Sequence, residues 1–288
     1  MNRNEGGGAD LSNVAPILGQ KTYAESPVFT PANLLREARR QKGLAHGEVP
    51  RICVLDPDGD IVGHLRETGR ARPNPHWACY HTCLYDYEEG DIPYGIVGGA
   101  VGAPFAVLVA EELFASGCRF LISVTSAGQV APVARPPYFV LIERALRDEG
   151  TSYHYKAPSP YSDLRPELLE MLCGAFEKHS VPVTWGTAWT TDAPFRETAT
   201  EIERHRSAGV LAVEMEASAL YAFAEATESP VVCFAHVTNQ MASIEGDFEK
   251  GVANGSDDAL RVIGAAAERW LAWNEHDSDG TAAGGRER

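Results

Sequence analysis

The sequence predicts a single α/β domain, a central mixed β-sheet with helices on both faces in three layers. Three observations carry this. Apolar strand-like runs alternate with helix-patterned segments, the order that parallel or mixed sheets with covering helices require. The 288 residues are 44% hydrophobic, enough for one large core without forcing a second domain. Three of the strand ends carry small or polar residues: Asp56 to Asp60, Thr125 to Gly128, and Thr238-Asn239-Gln240. In α/β sheets ligands bind beyond the carboxyl ends of strands, so these three ends outline a site.

The elements follow in order. Thr30-Pro31 starts a helix bearing Leu34, Leu35 and Ala38, with Thr as N-cap and Pro in the first turn. Arg51 to Leu55 reads as a strand that enters the turn Asp56-Pro57-Asp58-Gly59-Asp60. Trp77 to Tyr85 and Ile92 to Val97 read as a strand pair. A glycine-rich turn, Gly98 to Gly102, leads to a helix from about Pro104 to Ser116. Arg119 to Val124 is a buried strand, and further strands fit Tyr138 to Ile142, Val183 to Trp189 and Val231 to Val237. Helices fit Asp163 to His179 and Ala212 to Ala226, and Ser256 caps a last one ending near Trp273. Residues 1–20 read as a flexible arm, 21–274 as the domain and 275–288 as a flexible tail.

The formal net charge of -15 gives no electrostatic reason to bind nucleic acid or an anionic membrane. No run reaches the length of a membrane span, and the amino terminus lacks a signal-type apolar stretch. Six cysteines, several in apolar runs, fit buried thiols in a reducing compartment. The expected setting is cytoplasmic.

Glu214 and Glu216 stand two apart near a helix start. On a regular helix they would point about 200° apart and could not share a ligand. On an extended or turning chain either carboxylate can accept two hydroxyl hydrogen bonds, as a ribose cis-diol offers. The plain alternative is a solvated pair favoured by the helix dipole. The context Ala208-Gly-Val-Leu-Ala-Val-Glu-Met-Glu-Ala-Ser-Ala-Leu-Tyr221 resembles the signature of the nucleoside phosphorylase family, in its uridine phosphorylase-like branch. Gly98 to Gly128, Arg147 to His154 and Thr190 to Phe195 resemble further family stretches, so the likeness spans about residues 50 to 270.

That resemblance implies the nucleoside phosphorylase-like three-layer fold and cleavage of a nucleoside N-glycosidic bond. It implies Glu216 on the ribose hydroxyls, Met215 under the sugar, Val213 along the base and Ser126 at the anion or nucleophile end. It offers Phe195 as an aromatic partner for the base. It also implies a homo-oligomer, a dimer or hexamer, in which His81 could reach a neighbouring subunit's site.

The chain departs from the phosphorylase pattern where phosphate should sit. The first loop carries Asp56, Asp58 and Asp60 in place of an arginine, and Ser123 replaces a second one. Carboxylates repel phosphate, so these residues resemble the superfamily's nucleosidases. Asp58 or Asp60 is then the candidate base for a water, unless the acidic turn is ordinary turn chemistry. Arg66, Arg70 and Arg72 are the cations that could compensate. Asn239 stands where the family's purine enzymes have an Asp, and with Gln240 it favours a pyrimidine-like base or satisfies local backbone. Cys79, His81 and Cys83 share a strand face without paired metal spacing, so no metal is expected. Hydrolysis is favoured. The alternatives are a phosphorylase, with phosphate as co-substrate and no other cofactor, and an inactive nucleoside-binding protein.

Overall fold

A computed structural model describes residues 14–19, 21–177, 181–241 and 245–283, with side chains to Glu275. The expected arm lies largely outside the described residues. The elements are α1 (Pro31–Lys42), β1 (Ile52–Asp56), α2 (Asp60–Glu67), β2 (Arg72–Pro73), β3 (Leu84–Glu89), β4 (Ile92–Gly98) and α3 (Ala103–Ala115). They continue as β5 (Phe120–Gln129), β6 (Tyr138–Asp148), β7 (Tyr161–Asp163), α4 (Pro166–Leu172), β8 (Val183–Thr191) and α5 (Ala199–Ser207). The last are β9 (Val210–Glu214), α6 (Ala217–Thr227), β10 (Val231–Asn239) and α7 (Ser256–Ala283).

The expected mixed sheet with flanking helices is present. β1 lies parallel between β4 and β5, and β3 and β2 extend that side antiparallel. On the other side β5 pairs in parallel with β10, β10 antiparallel with β6, β6 in parallel with β8, and β8 in parallel with β9. β9 then returns to β5 through Gly128 opposite Val213. Five strands therefore close on one another around a buried interior, while β7 pairs with β6. Strand pattern alone did not reveal this closure, because it depends on two residue pairs at the far end of β5.

The strands at the centre are apolar along their whole length. All five residues of β1 and all nine of β10 are buried, as expected for strands covered on both faces. Trp270 of α7 stacks on Phe120 with ring centroids 5.2 Å apart, which fixes the last helix against β5. Fully burying a side chain such as Phe120 or Phe234 contributes about 1.5–3 kcal/mol.

Several boundaries differ from expectation. The first strand of the 77–97 pair begins at Leu84, not Trp77; residues 77–83 are irregular, and Trp77 and Cys79 are buried by contact rather than by a ladder. Cys79, His81 and Cys83 thus do not share a strand face. The segment 212–226 is not one helix: β9 takes its first residues and α6 begins at Ala217. β-branched Val210 and Val213 suit a strand, and burial of Val210, Ala212 and Val213 overrides the helical preference of Ala212. α4 ends at Leu172, and 178–179, the expected end of that helix, lie outside the described residues. α2 and α5 were not expected. α5 carries a capping box, Thr198 with Glu201, that marks its start. α7 continues past Trp273 to Ala283, so 275–283 are helical.

Candidate functional site

β1, β5 and β10 run parallel side by side, so the three polar strand ends fall at one edge of the sheet. The Glu-Met-Glu segment sits on the switch from β9 to α6. Glu214 ends the strand and Met215 and Glu216 form the bend, with Glu216 at φ -131° and ψ -39° as N-cap. Neither carboxylate lies on a regular helix, so the angular objection does not apply. Their roles divide. Glu214 Oε2 accepts the backbone N–H groups of Glu216 at 2.7 Å and Ala217 at 2.8 Å, satisfying donors at the start of α6. Its Oε1 accepts from the Thr190 hydroxyl at 2.5 Å, and Thr190 Oγ1 in turn accepts the Ser218 N–H at 2.9 Å. Glu149 extends the network by accepting from the Ser218 hydroxyl at 2.9 Å.

Glu216 faces the other way. Its Oε1 accepts the backbone N–H of Gly102 at 2.6 Å, at the N-terminus of α3. Gly102 has φ +89°, a conformation that glycine adopts without strain. The second oxygen, Oε2, is buried without a hydrogen bond of normal geometry among the described residues, and the Thr125 side chain is the polar group that bears on this carboxyl. A buried carboxylate oxygen left unpaired is costly, so this atom is a ready acceptor for a ligand hydroxyl. Burial is the main cause that pushes the Glu216 carboxyl up to about 8, and the Glu214 charge adds to it. Burial likewise pushes Glu214 up to about 7.

The three aspartates, alike in sequence, separate in the structure. Asp56 is buried and accepts the N–H groups of Gly59 at 3.2 Å and Val62 at 2.9 Å, closing the turn into α2. Desolvation pushes it up to about 7, and the nearby Asp58 charge adds to this. Asp60 starts α2 and is paired with Lys250. It also accepts from the Asn254 side chain at 3.2 Å. Asp58 reaches across to β5, where its Oδ2 accepts the Ser126 backbone N–H at 2.6 Å. Lys250 Nζ lies 3.9 Å from its other oxygen. Asp58 also bears electrostatically on Glu216, so the acidic loop and the Glu-Met-Glu bend line one region.

The remaining expected residues are placed unequally. Val213 is buried opposite Gly128, and Met215 is half-buried. Asn239 is buried at the end of β10, its Oδ1 accepting the Met241 N–H at 2.9 Å and its Nδ2 donating to Thr238 Oγ1 at 3.1 Å. A Cβ on Gly128 would meet Met241 Sδ at 2.6 Å and Val213 Cγ1 at 3.2 Å, so glycine permits this convergence. Gln240 is exposed, its N–H held by Asp247 at 2.9 Å. Phe195 is 99% exposed on a 3-10 turn, so the single chain does not place it against a base. His81 is exposed beside Tyr80. The three compensating arginines are elsewhere: Arg66 lies over the Tyr85 ring, Arg70 pairs with Glu89, and Arg72 is exposed on β2. Ser123 is a buried hydroxyl without a partner on β5, out of reach of any solvent anion.

Sequence reasoning missed two residues. Lys250 is the cation the acidic loop needs, but it comes from a loop 190 positions away. His236 lies within the apolar β10; a lone imidazole in Val231 to Asn239 was the signal available. A cavity of about 10 Å3 is lined by Asp58, Asp60, Ser126 and His236, among others. A larger cavity, about 570 Å3, lies instead between residues 17–34 and α3; its walls are mainly apolar and it contains none of this cluster. The polar cluster is the better candidate, because chemistry needs converging functional groups more than volume. No cluster with metal-binding composition occurs among the described residues.

Residues 51–269 match the family described as the phosphorylase superfamily. The chain belongs to the phosphorylase superfamily. The expectation of a nucleoside-cleaving enzyme is thereby met at the level of the superfamily. A guanosine phosphorylase of Halorubrum lacusprofundi is 24% identical over 213 residues, 73% of this chain and 79% of that protein. In structure the chain is similar to a uridine phosphorylase from Vibrio fischeri, with TM-score 0.62, 20% identity, and 81% of this chain and 93% of that one covered. It is also similar to an AMP nucleosidase from Bacteroides thetaiotaomicron, with TM-score 0.64, 15% identity, and 86% and 100% covered. The superfamily fold thus occurs with both chemistries among these proteins. No helix among the described residues is long and apolar enough to cross a membrane.

Proposed function

We propose that this superfamily member hydrolyses the N-glycosidic bond of a nucleoside, with a pyrimidine-like base. The observation that carries the reading is the 2.6 Å hydrogen bond from the Ser126 N–H to Asp58. An anion-accepting strand end is already engaged by the chain's own carboxylate. A phosphate about 4 Å from that charge would be repelled by roughly 1 kcal/mol in water and about 4 kcal/mol near a protein surface. A neutral water meets no such barrier and finds a base in Asp58.

In this reading Glu216 Oε2 accepts the sugar diol, while the Gly102 N–H holds the other oxygen. Binding the diol orients C1′ as oxocarbenium character develops. Asp58 takes the proton from water, and Asp60 with Lys250 fixes the loop that carries it. Asn239 retains one N–H after its bonds to Thr238 and Met241, and that N–H can donate to a carbonyl of the leaving base, with Gln240 beside it. Val213 and Met215 line the base and sugar. Exposed His81 and Phe195 belong, in this reading, to a contact between subunits of a dimer or hexamer. No cofactor is required.

The test is base release from a panel of nucleosides with and without phosphate. Equal release in both, with free ribose as product, is expected. An obligate need for phosphate, with ribose 1-phosphate formed, would overturn the hydrolytic reading. Lys250 is the observation that favours this phosphorolytic alternative, since its ammonium lies 3.9 Å from Asp58 and could accept an anion if that carboxylate turned away. No turnover of any nucleoside, with ligand-induced stabilisation retained, would instead favour a binding protein.

A further inference from the structure

Resting on the hydrolytic reading, we propose that His236 is a second catalytic group, which holds the attacking water against Asp58. The ring is buried in β10 and stacks on Phe139, with centroids 4.5 Å apart and planes 7° from parallel. Its other edge lies against Gly255. A Cβ there would fall 2.2 Å from His236 Cε1 and 2.9 Å from Nε2. Phe139 and a glycine at φ +75° therefore hold the imidazole in one orientation. Buried imidazoles ordinarily satisfy their nitrogens. The ring of His236 borders the cavity beside Asp58, where a ring nitrogen can meet a solvent partner.

The ring lines the cavity of about 10 Å3 that Asp58, Asp60, Ser126 and Asn254 also line. That volume is close to the roughly 10–15 Å3 that one water occupies, and a bound water requires about two to four polar partners. Asp58, Ser126 and His236, which line the cavity, are polar groups able to supply them. The charged groups bearing on the ring are Lys250, Asp58, Asp60 and Asp258. Burial, reinforced by the Lys250 ammonium, pushes His236 down to about 4. The ring is consequently neutral at physiological pH and presents one acceptor nitrogen.

One O–H of the water gives its proton to the Asp58 carboxylate. The other O–H donates a hydrogen bond to the unprotonated nitrogen of His236. The water oxygen bonds to C1′ while the C1′–N bond breaks and its electron pair leaves with the base. The proton on Asp58 passes through solvent to that base. His236 itself stays neutral throughout and serves to aim the water.

The experiment compares wild type, His236→Leu and His236→Gln in hydrolysis without phosphate, with dilute methanol present as a competing nucleophile. In His236→Leu, kcat should fall at least about 30-fold, within the range for a group acting on the transferred proton, with KM and ribose-induced thermal stabilisation unchanged. His236→Gln keeps an acceptor and should recover part of kcat. In His236→Leu the ratio of methyl riboside to ribose should rise several-fold, because the second O–H of water has no acceptor there, whereas His236→Gln should stay nearer wild type. A purely structural histidine would not move that ratio, so an unchanged ratio in a folded His236→Leu enzyme overturns the proposal. So does a His236→Leu kcat within about 3-fold of wild type. A wild type that requires phosphate removes the hydrolytic reading itself, and this inference with it.

Discussion

Glu214 accepts the backbone N–H of Glu216 at 2.7 Å, so one acid of the motif builds the bend from which the other acts. Glu216 itself bonds the Gly102 N–H through Oε1, and its Oε2 makes no hydrogen bond of normal geometry among the described residues. Replacing Glu216 by Ala removes the diol acceptor and strands the Gly102 N–H. We expect kcat/KM to fall about 10²–10³-fold, equivalent to roughly 2.7–4 kcal/mol, and ribose-induced stabilisation to vanish. Steady-state kinetics and thermal melts with ribose measure both. A loss below about 5-fold would show that the sugar binds elsewhere.

Stability should decline as pH rises through neutrality. Glu216 is raised from its ordinary 4.5 to about 8, Glu214 from 4.5 to about 7, and Asp56 from 3.8 to about 7. Each group binds more protons folded than unfolded across that interval. Its stabilising contribution is complete below its unfolded value and is lost as pH rises through the folded one. The melting temperature should therefore fall between about pH 5 and pH 8. Glu216→Gln should flatten part of that slope, and a slope identical to wild type would contradict the assignment.

The sheet, the polar strand ends and the sugar-holding glutamate were legible because each is written locally. Hydrophobic runs mark buried strands, and the Glu-Met-Glu context marks the bend. Lys250 and His236 were not legible as site residues. Their meaning depends on β10 and the following loop folding back onto the turn after β1, a long-range pairing that no local pattern encodes. The same holds for β9, where closure of the five strands makes a strand of residues that the pattern assigned to a helix. Asp56, Asp58 and Asp60 look equivalent in sequence. Only the direction of each side chain assigns one to the turn, one to the strand end and one to the lysine.

Asp58→Asn tests that assignment. The amide keeps the shape of the carboxylate but cannot take a proton from water. Hydrolysis should fall about 10²-fold or more, as expected for a general base, with little change in KM. Asp56→Asn should act instead on folding, lowering the denaturation midpoint in urea through the turn into α2. If both variants lose only stability, Asp58 is no base.

Gly255→Ala joins the loop that brings Lys250 to the site with the ring that faces it. The new Cβ would lie 2.2 Å from His236 Cε1 and 2.6 Å from the Lys250 carbonyl oxygen, at φ +75°. The backbone conformation alone costs a non-glycine residue roughly 1–3 kcal/mol. The carbonyl cannot move away without shifting Lys250, whose ammonium pairs with Asp60. Urea denaturation should thus show a loss of roughly 2 kcal/mol or more. The residual folded enzyme should also lose activity, since relief of the clash moves both His236 and Lys250. A variant as stable and as active as wild type would mean that this loop does not hold the position described.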